Sequence, residues 1–503
     1  RAGWLYLVFS HAGTLCLIGF FALLASASGG FALRALAPGE IGRGAATAAF
    51  LLAFAGFGIK AGAMPLHSWL PAAHAAAPSH VSAVMSGVML KAGVYGIVRV
   101  ASVLPSPPVF WGATVLTVGG CSALLAIAFA LGQRDLKRLL AYSSIENVGI
   151  ILLGLGLALV GRSAGRPDWM LLGLAGCLLH VWNHALFKSL LFFGAGSVAH
   201  ATGTRDLELT GGLARRMPAT AGLFLLGALA ICGLPPLNGF VSELFVYLGL
   251  VRAAIAPESS WAALPAPVLA ATGALAVACF VKVFGIAFLG AARSPAARDA
   301  QESPPLMLAP MAVLALACAV LGVAPGLAAP ALEHAAAAWA GQPLGGLSLA
   351  GLAPLSWISA AAAALLAAAA LATAAVLPAC RRGRRRAPAL PTWDCGYAAG
   401  SPRLQYTASS FAQLITSHFA WVLRPRVHAP RIEQLFPAPS HFDSHVEDLV
   451  LDGLLLPASR GAARVSARMR ALPQGQLQRY ILYILAVLVP LLVWAMAGES
   501  GGR

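Results

Sequence analysis

Apolar residues along this chain fall in long unbroken blocks, at about 3–27, 44–63, 78–103, 108–131, 137–160, 171–198, 218–250, 267–290, 307–329, 352–379 and 479–497. A helix rises ~1.5 Å per residue, so ~20 apolar residues cross the ~30 Å hydrocarbon layer of a bilayer. The pattern predicts an all-α polytopic membrane protein of about eleven transmembrane helices, joined mostly by short loops rich in Gly, Pro and Arg. Two blocks are interrupted from within. The segment IKAGAMPLHSWLPAAHAAAP (59–78) carries Gly62, Pro65 and Pro71, and CGLPPLNGFVSELF (232–245) carries Gly233, Pro235, Pro236 and Gly239. Proline removes a backbone hydrogen bond and glycine weakens a helix, so each segment should break near mid-membrane. Each break has an ionisable neighbour, Lys60 at the first and Glu243 just after the second. Broken helices at corresponding places in two halves are the pattern of an ion site in an inverted-repeat transporter.

The stretch between the last two blocks, 380–478, is the most polar part of the chain and opens with Arg381, Arg382, Arg384, Arg385 and Arg386. Within it, QYTASSFAQLITSHFAWVLRP and HFDSHVEDLVLDGLLL read as amphipathic helices lying along the membrane surface or a neighbouring subunit. With this linker cytoplasmic, alternation puts Arg134, Lys137, Arg138, Arg205, Arg215, Arg216, Arg293 and Arg298 on its side. The opposite loops carry fewer basic residues, and 330–351, read as a loop, carries none.

Composition sharpens this picture. Of 503 residues, 59% are hydrophobic and 10% charged, whereas a soluble domain is about 25% charged. The net charge of +16 is largely loop arginine, so it predicts a lipid bilayer as surroundings and no nucleic acid. Eight cysteines form no C-x-x-C pair, and most lie inside apolar runs, which argues against a disulfide framework or iron–sulfur ligation. No flavin, nicotinamide or haem motif is present, so no cofactor is predicted. The opening on Arg1, directly ahead of an apolar run, reads as a fragment or processed chain with no cleavable signal peptide.

Lysine usage carries the chemical signal. Of the 34 basic residues five are lysine, and Lys60, Lys91, Lys188 and Lys282 sit within or at the edge of apolar helices, with Lys137 in a loop. Arginine stays protonated in proteins, whereas a buried lysine can lose its proton near neutrality. A charge at mid-bilayer costs at least ~2.5–3.5 kcal/mol, so four such residues imply a function that offsets them. For Lys282, near a helix end, snorkelling or a pair with backbone carbonyls stands as an equal alternative. Among 18 acidic residues, Glu146 and Glu243 fall inside apolar spans. His180, His184 and Lys188 recur at i, i+4 and i+8 and so share one helical stripe, which reads as a proton relay. No Cys or Glu sits at ligand spacing around the two histidines, so no metal is predicted.

PLHSWLPAAHAAAPSHVSAVMSGVMLKAGVYG (65–96), DLKRLLAYSSIENVGI (135–150), HVWNHALFKSLLFFGAGSV (180–198) and GLPPLNGFVSELF (233–245) resemble the antiporter-like subunits of respiratory complex I and its relatives. The Ser79-His80 pair, the Glu146-Asn147 pair and PTWDCGYA (391–398) resemble the hydrogenase branch, meaning hydrogenase-4 component B and the corresponding formate hydrogenlyase subunit. The resemblance implies an inverted-repeat antiporter-like fold with two discontinuous helices, a lateral helix and a final anchor, in a bacterial inner membrane. It divides the chain into the remainder of a first repeat (1–103), a second repeat (104–291), further spans (292–379), a linker with lateral helices (380–478) and an anchoring helix (479–503). It implies that about five preceding helices, with a functional glutamate that would partner Lys60, lie outside this sequence.

By position, the resemblance makes Lys60 the centre of the first half-channel and Lys91 the link between half-channels. Lys188 with His180 and His184 becomes the relay of the second repeat, and Glu243 its terminal position. Glu146 stands where hydrogenase-type members carry Glu-Asn, and His67 and His74 are water-lining. Lys282 joins them as a water-lining candidate on its burial alone. The implied function is proton translocation driven by electron transfer in partner subunits of a hydrogenase or complex I-like assembly, with Fe–S/NiFe or quinone-linked subunits reached indirectly. A stand-alone or Mrp-type sodium/proton antiporter subunit and an inert membrane anchor of the hydrogenase arm remain the alternatives.

Overall fold

The computed structural model describes residues 2–105, 107–256, 261–262, 264–386, 405–430, 443–446, 448–469 and 477–500. Its helices are α1 (Ala2–Ser28), α2 (Arg43–Ala61), α3 (Trp69–Ala76), α4 (Ser79–Val103), α5 (Val109–Leu131), α6 (Leu136–Ser163), α7 (Pro167–Thr202), α8 (Pro218–Ile231) and α9 (Asn238–Ile255). They continue with α10 (Pro265–Phe288), α11 (Pro305–Val323), α12 (Ala329–Ala340), α13 (Leu355–Arg386) and α14 (Ala408–His418). A short antiparallel pair, β1 (Arg426–His428) and β2 (Asp443–His445), follows. All of these lie in one compact unit, Arg1–Glu447, and a second unit, Asp448–Arg503, holds α15 (Leu456–Met469) and α16 (Leu477–Ser500).

Ten helices among the described residues are long and apolar enough to span a bilayer, and α8 and the apolar part of α16 are shorter. The block at 218–250, expected as one span, is two helices. α8 stops at Ile231 and α9 starts at Asn238 because Gly233 (φ +62) and the two prolines cannot continue the helix. At the other interruption, α2 closes on Gly62 (φ +78), whose N–H returns to the Gly58 carbonyl at 2.9 Å. That break is held in place by Met64 N–H donating to Ser122 Oγ (2.9 Å) and Trp69 Nε1–H to the Ile59 carbonyl (2.9 Å).

Helix α6 is the axis of the bundle, buried along its whole apolar length between α5 and α7. Small residues allow this packing. A Cβ on Gly119 would sit 2.8 Å from Leu153 N, and one on Gly154 would sit 2.7 Å from the Gly173 carbonyl oxygen. The outer helices turn large apolar side chains outward, among them Val281, Val313, Leu316 and Leu371, as a lipid-facing surface requires.

Three expectations are corrected. The segment 330–351 is not a plain loop: it contains α12, whose Trp339 donates to the Val98 carbonyl (2.9 Å) and lies under the Arg162 guanidinium. Helix α13 runs through Pro378 to Arg386, so the arginine cluster begins as helix rather than linker. Asp443–His445, expected to be helical, pairs with Arg426–His428 as strand. The PTWDCGYA segment lies outside the described residues.

One end of the bundle collects the basic loops. Leu136 N–H donates to Arg205 O (2.9 Å), Leu207 N–H to Arg134 O (3.0 Å), and Gly212 N–H to Leu289 O (2.8 Å). Gln405, where the described part of the linker resumes, accepts from Ala291 N–H (2.8 Å) at this same end, and Ser409 donates to Glu208 (2.7 Å). The loops that alternation placed together are therefore together, and the linker segment at 405–409 docks on them.

Candidate functional site

Asp135 caps α6 by accepting from Lys137 N–H (2.9 Å) and Arg138 N–H (3.0 Å). That cap sets the phase of the helix, so Ser143, Ser144, Glu146 and Asn147 enter the bundle centre about 11–17 Å from its start. Opposite them on α7 stand His180, Asn183, His184 and Lys188, all fully buried. α4 contributes Lys91 from just beyond a π-helical turn at Met85–Met89, a distortion common at functional sites. α9 contributes Asn238, Ser242 and Glu243 immediately after the second break.

These groups form one polar layer. The Lys91 ammonium donates to the Ser86 carbonyl (2.5 Å) and meets His184 Nδ1 at 3.0 Å. Lys188 donates to Ser143 Oγ (2.5 Å), which in turn donates to the Leu140 carbonyl (3.2 Å). Ser86 and Ser144 hydroxyls meet at 2.9 Å. Asn147 Nδ2 donates to Glu146 Oε2 (2.7 Å), while Asn147 Oδ1 faces His180 Nε2 at 3.0 Å. Glu146 lies within electrostatic range of both Lys188 and Glu243. The Glu243 carboxylate rests against the break itself: a Cβ on Gly233 would be 2.8 Å from both its oxygens.

The other candidates separate into distinct environments. His74 is completely buried, stacked on Phe192 with ring centroids 4.7 Å apart, and neither ring nitrogen has a protein partner. Its charged neighbours are Lys188, Lys137 and Lys91, which puts it between the basic end and the layer. A buried imidazole with two open nitrogens calls for water. His67 is also buried, with its ring 6.2 Å from Tyr142.

Lys60 is not part of the layer. It sits in the last turn of α2 on an exposed position beside Tyr6, Trp69 and Met89, in a cavity of about 90 Å³, and makes no hydrogen bond or ion pair among the described residues. Lys282 is buried and donates to the Leu131 (2.6 Å) and Gln133 (2.8 Å) carbonyls at the end of α5. Of its two readings, the carbonyl pair is the one these bonds satisfy. The sequence missed Lys137, which is no loop residue: it is buried in the first turn of α6 with its ammonium on the Ala77 carbonyl (2.5 Å). It also missed Ser143, Asn183, Asn238 and Ser242, whose signal was a polar side chain in an otherwise apolar helix.

Residues 1–257, which hold every element of this layer, match the family model described as NADH:quinone oxidoreductase/Mrp antiporter, TM. The chain belongs to that family. Hydrogenase-4 component B of Escherichia coli (strain K12) is 48% identical over 331 residues, covering 64% of this chain and 49% of its own length. An uncharacterized Mycobacterium tuberculosis protein (strain H37Rv) is 43% identical over 518 residues, covering 98% of this chain and 79% of its own length. This antiporter-family chain thus spans about half the length of the hydrogenase component. Among solved structures, the membrane-bound sulfane sulfur reductase, an archaeal respiratory membrane complex, matches with a TM-score of 0.75 at 23% identity. That match covers 98% of this chain and 76% of the neighbour, a likeness of fold. The resemblance drawn from the motifs is borne out at the level of family and hydrogenase branch.

Within the antiporter-family fold, the layer has the groups a proton carrier needs. Two amines, two imidazoles and two carboxylates sit together, with serine and asparagine side chains filling the gaps between them. Among the described residues no three His, Cys, Asp or Glu side chains converge as metal ligands.

Proposed function

We propose that this chain is the proton-translocating membrane subunit of a redox-driven hydrogenase or complex I-like assembly, set in a bacterial inner membrane. Protons move along Lys91, His184, Lys188, Glu146 and Glu243, with His180 as a side member and His74 at the uptake side. The observation that carries this reading is the buried contact of the Lys91 ammonium with His184, one turn of α7 away from Lys188 on Ser143. Lys91 and His184 share a single proton in that contact: either the ammonium donates to Nδ1, or a neutral amine accepts from Nδ1–H. The pair can therefore pass a proton without separating.

Electron transfer in partner subunits, Fe–S/NiFe or quinone-linked, would change charge or hydration at one end of the layer. Neighbouring titrations are coupled in a low-dielectric interior, so a proton arriving at one site lowers the affinity of the next. The division into a first-repeat remainder (1–103) and a second repeat (104–291) fits this reading, with the complete layer carried mostly by the second. Lys60, set apart on α2, is the first repeat's contribution.

The test is proton uptake by vesicles holding the purified complex. Lys188→Ala and Glu243→Ala are expected to abolish translocation while the complex still assembles. Unchanged translocation in both variants would refute the relay and favour a membrane anchor.

A further inference from the structure

Ser242 occupies the joint between the His180 side of the layer and the second helix break, and its hydrogen bonds do not balance in every protonation state. Asn147 is fixed by its Nδ2, which donates to the Ser143 carbonyl (2.8 Å) and to Glu146 Oε2 (2.7 Å). Its Oδ1 therefore faces His180 and can only accept, so His180 carries a hydrogen on Nε2 (3.0 Å). The remaining nitrogen, Nδ1, meets Ser242 Oγ at 2.9 Å. Ser242 Oγ also accepts from Asn183 Nδ2 (2.9 Å) and donates to the Gly239 carbonyl (3.0 Å). Asn183 in turn is locked to the start of α9, donating to Asn238 O (2.7 Å) and accepting from Asn238 Nδ2 (3.0 Å).

A hydroxyl has one hydrogen and two lone pairs. With His180 neutral, Nδ1 and the Gly239 carbonyl compete for that one hydrogen, the carbonyl holding its helical bond from the Glu243 amide in either case. When a proton adds to Nδ1, the imidazolium donates to the second lone pair of Ser242, and the hydroxyl turns fully to Gly239. All three partners of the hydroxyl are then satisfied. No covalent bond other than N–H forms, and the proton remains on His180. The other titratable groups on the surrounding elements are Lys91 on α4, Glu146 on α6, His184 and Lys188 on α7, and Glu243 on α9.

We propose that Ser242, oriented by Asn183, is a positioning residue that reports the protonation of His180 to the first turn of α9, beside Glu243. In the neutral state the Ser242 hydroxyl is drawn from the Gly239 carbonyl. In the charged state it clamps that carbonyl, whose residue packs at the break with no room for a side chain. The second broken helix and its carboxylate thereby feel whether the relay upstream is loaded. This inference rests on the proton-relay reading.

The experiment measures proton flux as a function of pH in proteoliposomes holding the purified complex, driven by a potassium diffusion potential. Ser242→Ala removes the acceptor from the imidazolium, so the flux midpoint should move to lower pH by about one to two units. Ser242→Thr, which restores the hydroxyl, should return it. Should Ser242→Ala carry no flux, the midpoint of Ser242→Cys, a weaker acceptor, is read instead and should move the same way by less. A parental midpoint in Ser242→Ala, or in Ser242→Cys where that is read, while Lys188→Ala is inactive overturns the role of Ser242 and leaves the relay standing. Flux retained in Lys188→Ala overturns the relay itself.

Discussion

Lys188 and Lys282 are both amines buried in apolar helices, and the proposed function gives them opposite roles that one paired experiment can separate. Lys282→Met removes the donor to two carbonyls, Leu131 O and Gln133 O, at the buried end of α5. Each buried acceptor left without a partner costs about 1–3 kcal/mol. Relief from burying an ammonium and a gain in apolar packing offset part of that sum. The net expectation is a loss of about 2–4 kcal/mol of stability. Lys188→Met withdraws a donor from Ser143 Oγ, which keeps its own bond to the Leu140 carbonyl. Its net effect on stability should be within about 1 kcal/mol of zero, and stabilisation is an acceptable outcome. Thermal unfolding in lipid nanodiscs measures the first quantity, and proton flux normalised to folded protein measures the second. Lys282→Met should unfold early and conduct normally per folded molecule, and Lys188→Met should do the reverse. A Lys282→Met protein that is as stable as its parent but does not conduct would refute the carbonyl-cap reasoning and return Lys282 to the relay.

Two further outcomes follow from the packing and from the loops. Gly154→Leu forces a side chain where a Cβ alone would sit 2.7 Å from Gly173 O and 2.8 Å from Cys177 N. Helices α6 and α7 must part, costing about 1–3 kcal/mol or more and separating Lys188 from Ser143, so both melting temperature and flux should fall. The Glu302 carboxylate, outside the spans, is opposed by partial burial, yet bonds from Thr220 Oγ1 and the Ser303, Ala219 and Thr220 amides hold it below the ordinary range. Its contribution is present above the usual carboxylate value and lost as pH falls through the lowered one, so acid should destabilise the parent more than Glu302→Gln in melting curves at descending pH.

Much of this architecture could be read from residue order because the strongest constraints of a bilayer are local. Gly62 and the Gly233–Pro235–Pro236 run stop their helices for reasons that belong to those residues alone. The scarcity of lysine likewise marked the amines worth following. Neighbours, in contrast, were invisible. Whether a buried amine is carrier or cap depends on a partner such as Gln133, 149 residues from Lys282 in the chain. Lys137 reads as a loop residue unless the capping role of Asp135, which starts the helix one residue earlier, is counted. Helix α12 was missed because twelve residues are too few to show as a membrane block. The neutral members of the site, Ser143, Asn183 and Ser242, carry no charge, and their mark in the sequence is only a polar side chain in an apolar helix.

Those neutral members also explain how the charged ones can coexist. Lys91 and Lys188 against Glu146 and Glu243 make a layer that balances at two amines and two carboxylates, so one added proton leaves a single unit of excess charge. Two unit charges ~8 Å apart interact by about 2 kcal/mol at an effective dielectric of about 20. Moving one charge against 100 mV takes about 2.3 kcal/mol. The repulsion that one proton exerts on the next is thus of the size needed to drive it against a membrane potential, provided the sites are neither fused into direct ion pairs nor so far apart that they ignore one another. Across α6, α7 and α9 this spacing is kept by Ser143 under Lys188, Asn147 between Glu146 and His180, and Ser242 before Glu243. A direct Lys188–Glu146 salt bridge would lock the proton in place. A layer without the amides and hydroxyls would leave buried charges unsatisfied at several kcal/mol each. Substituting Asn147 by Asp tests this balance: it adds a carboxylate beside Glu146, should trap the positive charge near Lys188, and is expected to slow flux while raising the pH needed to release the proton. Flux and pH dependence unchanged in Asn147→Asp would mean that charge spacing in this layer does not set the rate.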